Sequence, residues 1–132
     1  MARAYTLGTA ALALSVSAKW LDNALSHFRV IGVQQARQGI ARRLTIESLL
    51  TLSVAIALVD QLQIPLGRAI EISEQLNRTG GDGSLALSDT LDISVDLTTL
   101  RTQLLERLEH AVEIAPIPRR GRPPKNTTGR LE

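Results

Sequence analysis

The chain contains no cysteine, a single methionine and only one each of tryptophan, tyrosine and phenylalanine. Without cysteine there is no disulfide scaffold and no thiolate metal or redox site. With 2% aromatics, a core must be built from Leu, Ile, Val and Ala. No apolar run reaches the roughly 20 residues that span a bilayer. The longest, Leu49 to Val59, is interrupted by Thr51 and Ser53 and closed by Glu47 and Asp60, so it reads as a buried helix. Leu7 to Val16, preceded by Arg3 and followed by Val16-Ser17-Ala18, has the outline of a signal peptide. Thr6, Gly8, Thr9 and Ser15 dilute it, and it reads better as a helix with Leu7, Ala10, Ala11 and Leu14 on one face. No phosphate loop, zinc spacing or nucleophile motif occurs. His27 and His110 lie far apart, and His110 sits among Glu106, Glu109 and Glu113 on what reads as a solvated face. Asp89 and Asp92 have nothing to complete a metal site. The expectation is therefore a protein that is not an enzyme, with no metal, no cofactor, no membrane span and no evident small-molecule effector.

A strong charge of one sign is also missing, since 15 basic residues face 13 acids for a net +2. That average hides a segregation. Residues 1–43 carry +5, residues 44–78 carry −2, residues 79–115 carry −5 and residues 116–132 carry +4. Thirteen of the 15 basic residues are arginine, whose fork suits phosphates and guanine edges. Two basic ends around an acidic middle point to nucleic acid as the partner of the ends.

What is present has readable periodicity. Residues 6–14 read as a first helix, Ser15-Val16-Ser17 as a turn, and residues 18–28 as a second helix capped by Ser17. Leu21, Ala24, Leu25 and Phe28 form its apolar stripe, which leaves Lys19, Asp22, Asn23, Ser26 and His27 on the other face. Val30 to Leu44, with β-prone ends and a polar tip, reads as a hairpin. Thr45 caps a third helix, Ile46 to about Leu62, and Pro65 starts a fourth that runs to about Asn77. Leu85, Leu87, Leu91, Ile93, Val95 and Leu97 alternate with polar residues, as in two short strands with one apolar face. Asp96 caps a last helix to about Ala115, striped by Leu97, Leu100, Leu104, Leu108, Ala111 and Ala115. From Pro116 the chain is rich in Pro, Gly and Arg without periodicity, the composition of a disordered basic tail.

Helix, turn, helix, basic hairpin and apolar helix in that order outline a winged helix-turn-helix, whose second helix reads the major groove. Residues 5–76 resemble the DNA-binding domain of MerR-type regulators. Tyr5-Thr6-Leu7-Gly8, Ala11 and Ser15-Val16-Ser17 are similar to that family's opening helix and turn. Gly39, Arg42-Arg43-Leu44-Thr45 and Leu49 are similar to its wing-to-helix junction, and Leu62-Gln63-Ile64-Pro65-Leu66 with Ile70 to the turn into its fourth helix. The resemblance implies that Ser17, Lys19 and Asn23 face the major groove and that Arg37, Arg42 and Arg43 hold the backbone. Trp20, His27, Arg29 and Gln38 complete the candidate contacts of this head. Asp22, Asn23 and Ala24 stand where the family shows an arginine and aromatic residues, so no base preference carries over. Excisionase-like proteins fit the same outline.

Arg119-Arg120-Gly121-Arg122-Pro123-Pro124-Lys125 resembles an AT-hook. Its glycine lets the backbone lie deep in a narrow minor groove while Arg119, Arg120, Arg122 and Lys125 extend along it. The acidic segment 84–115 has two apolar faces to cover, against the head or against a second copy. A homodimer through Leu91, Ile93, Val95, Leu97, Leu100, Leu104 and Leu108 is expected, because two-fold readers engage paired half-sites. Intramolecular packing of the last helix on the third and fourth is the alternative.

The fold class expected is α+β, mainly helical, a winged helix-turn-helix followed by a short β-hairpin and a dimerisation helix. The expected organisation is a DNA-binding domain over residues 1–78, a dimerising hairpin and helix over 79–115, and an AT-hook-like tail over 116–132. The function expected is a homodimeric, sequence-preferring regulator of transcription that binds double-stranded DNA in a cytoplasm of bacterial or phage type. A DNA-bending accessory protein and a protein-interaction adaptor working through 84–115 are the competing readings.

Overall fold

A computed structural model describes residues 4–34, 42–79 and 83–114. The fold is α+β and mostly helical, with small antiparallel sheets. In chain order the elements are β1 (Ala4–Thr6), α1 (Leu7–Leu14), α2 (Ala18–His27), β2 (Val33–Gln34), β3 (Arg43–Thr45), α3 (Ile46–Leu62), α4 (Leu66–Thr79), β4 (Ser84–Ala86), β5 (Asp92–Ser94) and α5 (Leu97–Ile114). The sheet order is β1-β3-β2, with Tyr5 and Val33 both opposite Leu44; β4 and β5 form a separate hairpin.

Short polar side chains set the helix starts by accepting orphan backbone N–H groups. Thr6 Oγ1 accepts from the N–H of Thr9 at 3.2 Å, Ser17 Oγ from Trp20 at 2.9 Å and Thr45 Oγ1 from Ser48 at 3.3 Å. Asp96 Oδ1 accepts from Thr99 at 3.0 Å. Thr6 thus lies outside α1 as its cap, and Phe28 lies outside α2 as its C-terminal cap. Ser15, at φ 60° and ψ 40°, makes the sharp exit from α1 that turns the chain into α2. Pro65 sits one residue before α4, where its carbonyl accepts from the N–H of Ala69 at 2.8 Å.

Two local features depart from the sequence reading. Val30 and Ile31 are not in a strand, although they are β-prone. The chain is diverted at Gly32, whose φ of +94° belongs to the left-handed region that favours glycine. The Gly32 carbonyl accepts from the N–H of Thr45 at 3.2 Å and from its hydroxyl at 2.9 Å, while the N–H of Ile31 donates to Glu74 of α4 at 3.2 Å. The second departure is Leu91. It belongs by alternation to the apolar face of the hairpin but is 57% exposed. It lies in the turn after β4, where its carbonyl accepts from Leu87 at 2.7 Å.

One apolar cluster runs through the described residues. It includes Ala10 and Leu14 of α1, Leu21 of α2, Leu44 of β3, Leu49, Leu52 and Leu58 of α3, Ile72 and Leu76 of α4, and Leu104, Leu108 and Ala111 of α5. α3 lies along α4, and α5 packs on α1 and α3. Residues 83–114 therefore share the core of the head. Leu104 and Leu108, expected on a face for a second copy, are each 2% exposed within one chain. Of the expected intramolecular alternative, packing on α3 is seen, but the principal contact of α5 is α1 and not α4. The reason is that α1, with Ala10, Ala11 and Ala13, offers a low surface on which leucines seat closely. Among the described residues no helix is long and apolar enough to cross a membrane.

Candidate nucleic-acid interface

α2 buries Leu21 and Ala24 and half-buries Leu25, so its opposite face is fixed outward. Lys19, Asp22, Asn23, Ser26 and His27 are all exposed there. Ser17 is exposed at the start of the helix, and its oxygen is engaged as the cap. Its hydroxyl hydrogen remains able to donate to an oxygen in front of the helix. His27 Nδ1 lies 2.8 Å from the carbonyl of Asn23 one turn earlier, which orients the ring. Ser26 Oγ donates to the carbonyl of Asp22 at 2.9 Å.

The segment leading into β3 reaches one flank of this helix. The guanidinium of Arg42, just before β3, pairs with the Asp22 carboxylate and also donates to Ser26 Oγ at 3.3 Å. The Arg42 side chain is only 19% exposed, so it is held against α2 and does not project freely. Asp22 is the one acid on this face, and Arg42 neutralises it. The remaining ionic character of the face comes from Lys19. Arg43, on β3, is exposed, and by strand alternation it projects from the sheet face opposite to that of Arg42 and Leu44. Arg29, just past α2, is exposed and shares with Arg42, Phe28 and Val33 a cleft of about 190 Å³.

Phe28 has a second role. Its ring lies against Gly67 at the start of α4, and a Cβ at Gly67 would stand 2.9 Å from Phe28 Cε1. Close approach there docks the end of α2 onto α4.

Trp20 lies apart from the exposed face. It is half-buried and lines a groove of about 680 Å³ with Leu14, Ile56, Leu100 and Arg107. It is thus a packing residue at the α2–α3–α5 junction, which its amphipathic ring allows. Lys19, Asn23 and His27 therefore share the exposed face of α2 with Ser17 at its start, Arg42 is held against that face, and Arg29 and Arg43 are exposed on neighbouring segments. Arg37 and Gln38 lie outside the described residues, as do Arg119, Arg120, Gly121, Arg122 and Lys125.

Ser26, already read as part of the polar α2 face, gains a role the sequence does not show, since it accepts from Arg42. One strand escapes the sequence reading altogether. β1 pairs along β3 on the edge opposite β2, so the ladder is a three-stranded sheet. Three residues of β1 carry too little alternation to announce a strand. The acid–base pair was open to charge patterning only if the chain separation of 20 residues between Asp22 and Arg42 had been bridged by a fold.

Of the residues expected to form a dimer face, Leu91 is exposed, Ile93, Val95, Leu97 and Leu100 are half-buried on the core, and Leu104 and Leu108 are buried. Among the described residues no group of three His, Asp or Glu side chains is placed to hold a metal ion. In comparisons with known protein families, with curated proteins and with solved structures, nothing matches this chain.

Proposed function

We propose that the chain is a sequence-preferring double-stranded DNA-binding protein that acts as a homodimeric regulator of transcription. The observation that carries this reading is the α2 face. It is exposed, polar and capped by a serine, and its one acid is neutralised by an arginine from the adjoining ladder. In this reading α1 and α2 are a helix-turn-helix, α2 enters the major groove, and Lys19, Asn23 and His27 meet base edges. The Ser17 hydroxyl and the free N–H groups of the first turn of α2 meet a phosphate. The β2–β3 ladder is the wing, with Arg29 and Arg43 on the flanking backbone. Arg42 acts by positioning the wing on α2. Residues 119–125 bind an A·T-rich minor groove beside the site and tether the head there. No catalytic step is assigned.

The test is selection of bound sequences from random duplex DNA, with the full chain and with a chain ending at Ala115. The same core motif from both, with flanking A·T preference only in the full chain, is expected. A second measurement is the salt dependence of affinity, which arginine–phosphate contacts make steep. Affinity that does not change with salt, or no enriched motif, would overturn the reading.

A further inference from the structure

The leucine stripe of α5 is covered by its own chain, yet a neighbouring face of the helix is not. Thr98, Arg101, Leu105, Glu109 and Val112 are all exposed, with Leu105 at 40% and Val112 at 43%. Their spacing is 3-4-4-3, which places them on one side of an α-helix. The same spacing reads identically in both directions. A second α5 laid antiparallel, with a two-fold axis at Leu105, sets Leu105 on its own copy. It sets Arg101 against Glu109 of the second copy, twice, and Thr98 against Val112, also twice. A parallel arrangement would oppose Arg101 to Arg101 and Glu109 to Glu109. Like charges so placed destabilise, and the antiparallel pairing removes both repulsions at once. Neither Arg101 nor Glu109 forms an ion pair among the described residues. The helix runs from Leu97 to Ile114, so the whole pattern lies within regular helix.

We infer that this face of α5 is the surface on which a second copy of the chain docks, antiparallel and about a two-fold axis at Leu105. An isologous contact requires each patch to complement itself, and this pattern of two apolar, two charged and one hydroxyl side chain does so. The inference rests on the homodimer of the proposed function and gives that homodimer a face. It replaces the buried Leu104 and Leu108 with their exposed neighbours.

The experiment is sedimentation equilibrium of the full chain without DNA, over a range of roughly 1 µM to 1 mM. Dimerisation is expected within that range. Arg101→Glu and Glu109→Arg are each expected to weaken the dimer about tenfold, since each change strikes two symmetry-related pairs. The double variant Arg101→Glu with Glu109→Arg is expected to regain the lost affinity. Because the chain has no cysteine of its own, a Leu105→Cys variant is expected to oxidise to a covalent dimer, and a Gln103→Cys variant on another flank is not. These positions are exposed, so circular dichroism of each variant is expected to match the wild type. A wild-type chain that stays monomeric throughout, or a dimer that neither reversal weakens, or a double variant that fails to recover, would overturn the inference. DNA is absent from the measurement. A dimer that binds no DNA therefore counts against the DNA-binding reading alone, and a monomer that binds DNA counts against this face alone.

Discussion

Asp22 and Arg42 show how one pair of side chains changes the reading of a surface. As a sequence feature, Asp22 is an acid on the face that would approach phosphates, and Arg42 is one of several basic residues of a hairpin. Paired, they cancel in charge and tie the residue before β3 to α2. If α2 reads DNA, the Asp22→Ala variant removes a repulsive charge and frees a guanidinium. It is expected to bind more tightly at low salt, with a log–log salt slope steeper by about one. Arg42→Ala leaves Asp22 unpaired and is expected to bind less tightly, with a shallower slope. Fluorescence anisotropy on a labelled duplex across a salt series measures both, and slopes that do not separate the two variants would contradict the pairing argument. Gly32 offers a test of the scaffold alone. At its φ of +94° a side chain is strained, and its Cβ would collide with Thr45 Oγ1 and lie 3.1 Å from the Ser48 nitrogen. Gly32→Ala is expected to destabilise the fold by about 2 kcal/mol, read as a lower midpoint in urea with an unchanged slope.

Elements were legible in the sequence to the degree that local rules set them. Ser17, Thr45 and Asp96 announced three helix starts, because a cap is decided within four residues. The alternation from Leu85 to Val95 announced a hairpin, because burial of one face imposes a period of two. What was not legible depends on partners distant in the chain. β1 is a strand only because β3 lies beside it, and Val30 to Gly32 turns because Thr45 and Glu74 capture its backbone. The stripe of α5 was readable, but its cover was not, since leucines at helical spacing suit α1 as well as a second copy. On the functional side, the exposed face of α2 followed from its periodicity, whereas the withdrawal of Trp20 into the groove with Leu100 and Arg107 depended on where α5 lands. The start of α5 carries an element-scale prediction. The N–H and hydroxyl of Thr99 both donate to the Asp96 carboxylate, holding it below the usual carboxylate range. A lowered pKa in the folded state means that this cap supports the fold above the usual carboxylate pKa and loses its effect as pH falls through the folded value. Asp96→Ala is therefore expected to be less stable than wild type at pH 7, with the gap closing below roughly pH 4. Thermal melts of the two proteins at matched pH values check this, and a gap independent of pH would contradict it. Asp96→Asn, which keeps a neutral acceptor, is expected to lose less at pH 7.

At the scale of the whole molecule, the charge segregation and the core cut the chain differently. Charge divides it near residue 79, where the middle turns from weakly to strongly acidic. The core ignores that boundary, because Leu104, Leu108 and Ala111 of α5 lie in one cluster with Ala10 and Leu14 of α1. An acidic segment bound so closely to a basic head directs the electrostatic field of the molecule without forming a separate body. The α1–α5 contact has a measurable consequence for α2. α1 is only eight residues long and three of its five buried residues are alanines, so it buries little apolar surface with which to hold itself in place. Fully burying a leucine contributes about 2 kcal/mol, and α5 supplies two, Leu104 and Leu108, to the cluster that also holds Ala10 and Leu14 of α1. The head is thus expected to depend on α5 for its stability, and α2 to lose its position when α5 is weakened. Leu104→Ala and Leu108→Ala are each expected to cost about 3 kcal/mol, of order 10 °C in melting temperature. The loss is expected in one cooperative transition, seen at the same temperature by calorimetry, by helical circular dichroism and by the fluorescence of Trp20. A head that melted at an unchanged temperature while a second, lower transition appeared would show instead that residues 83–114 fold on their own account. In that case the shared core would not be the unit of stability, and the leucine stripe would again be available to a partner.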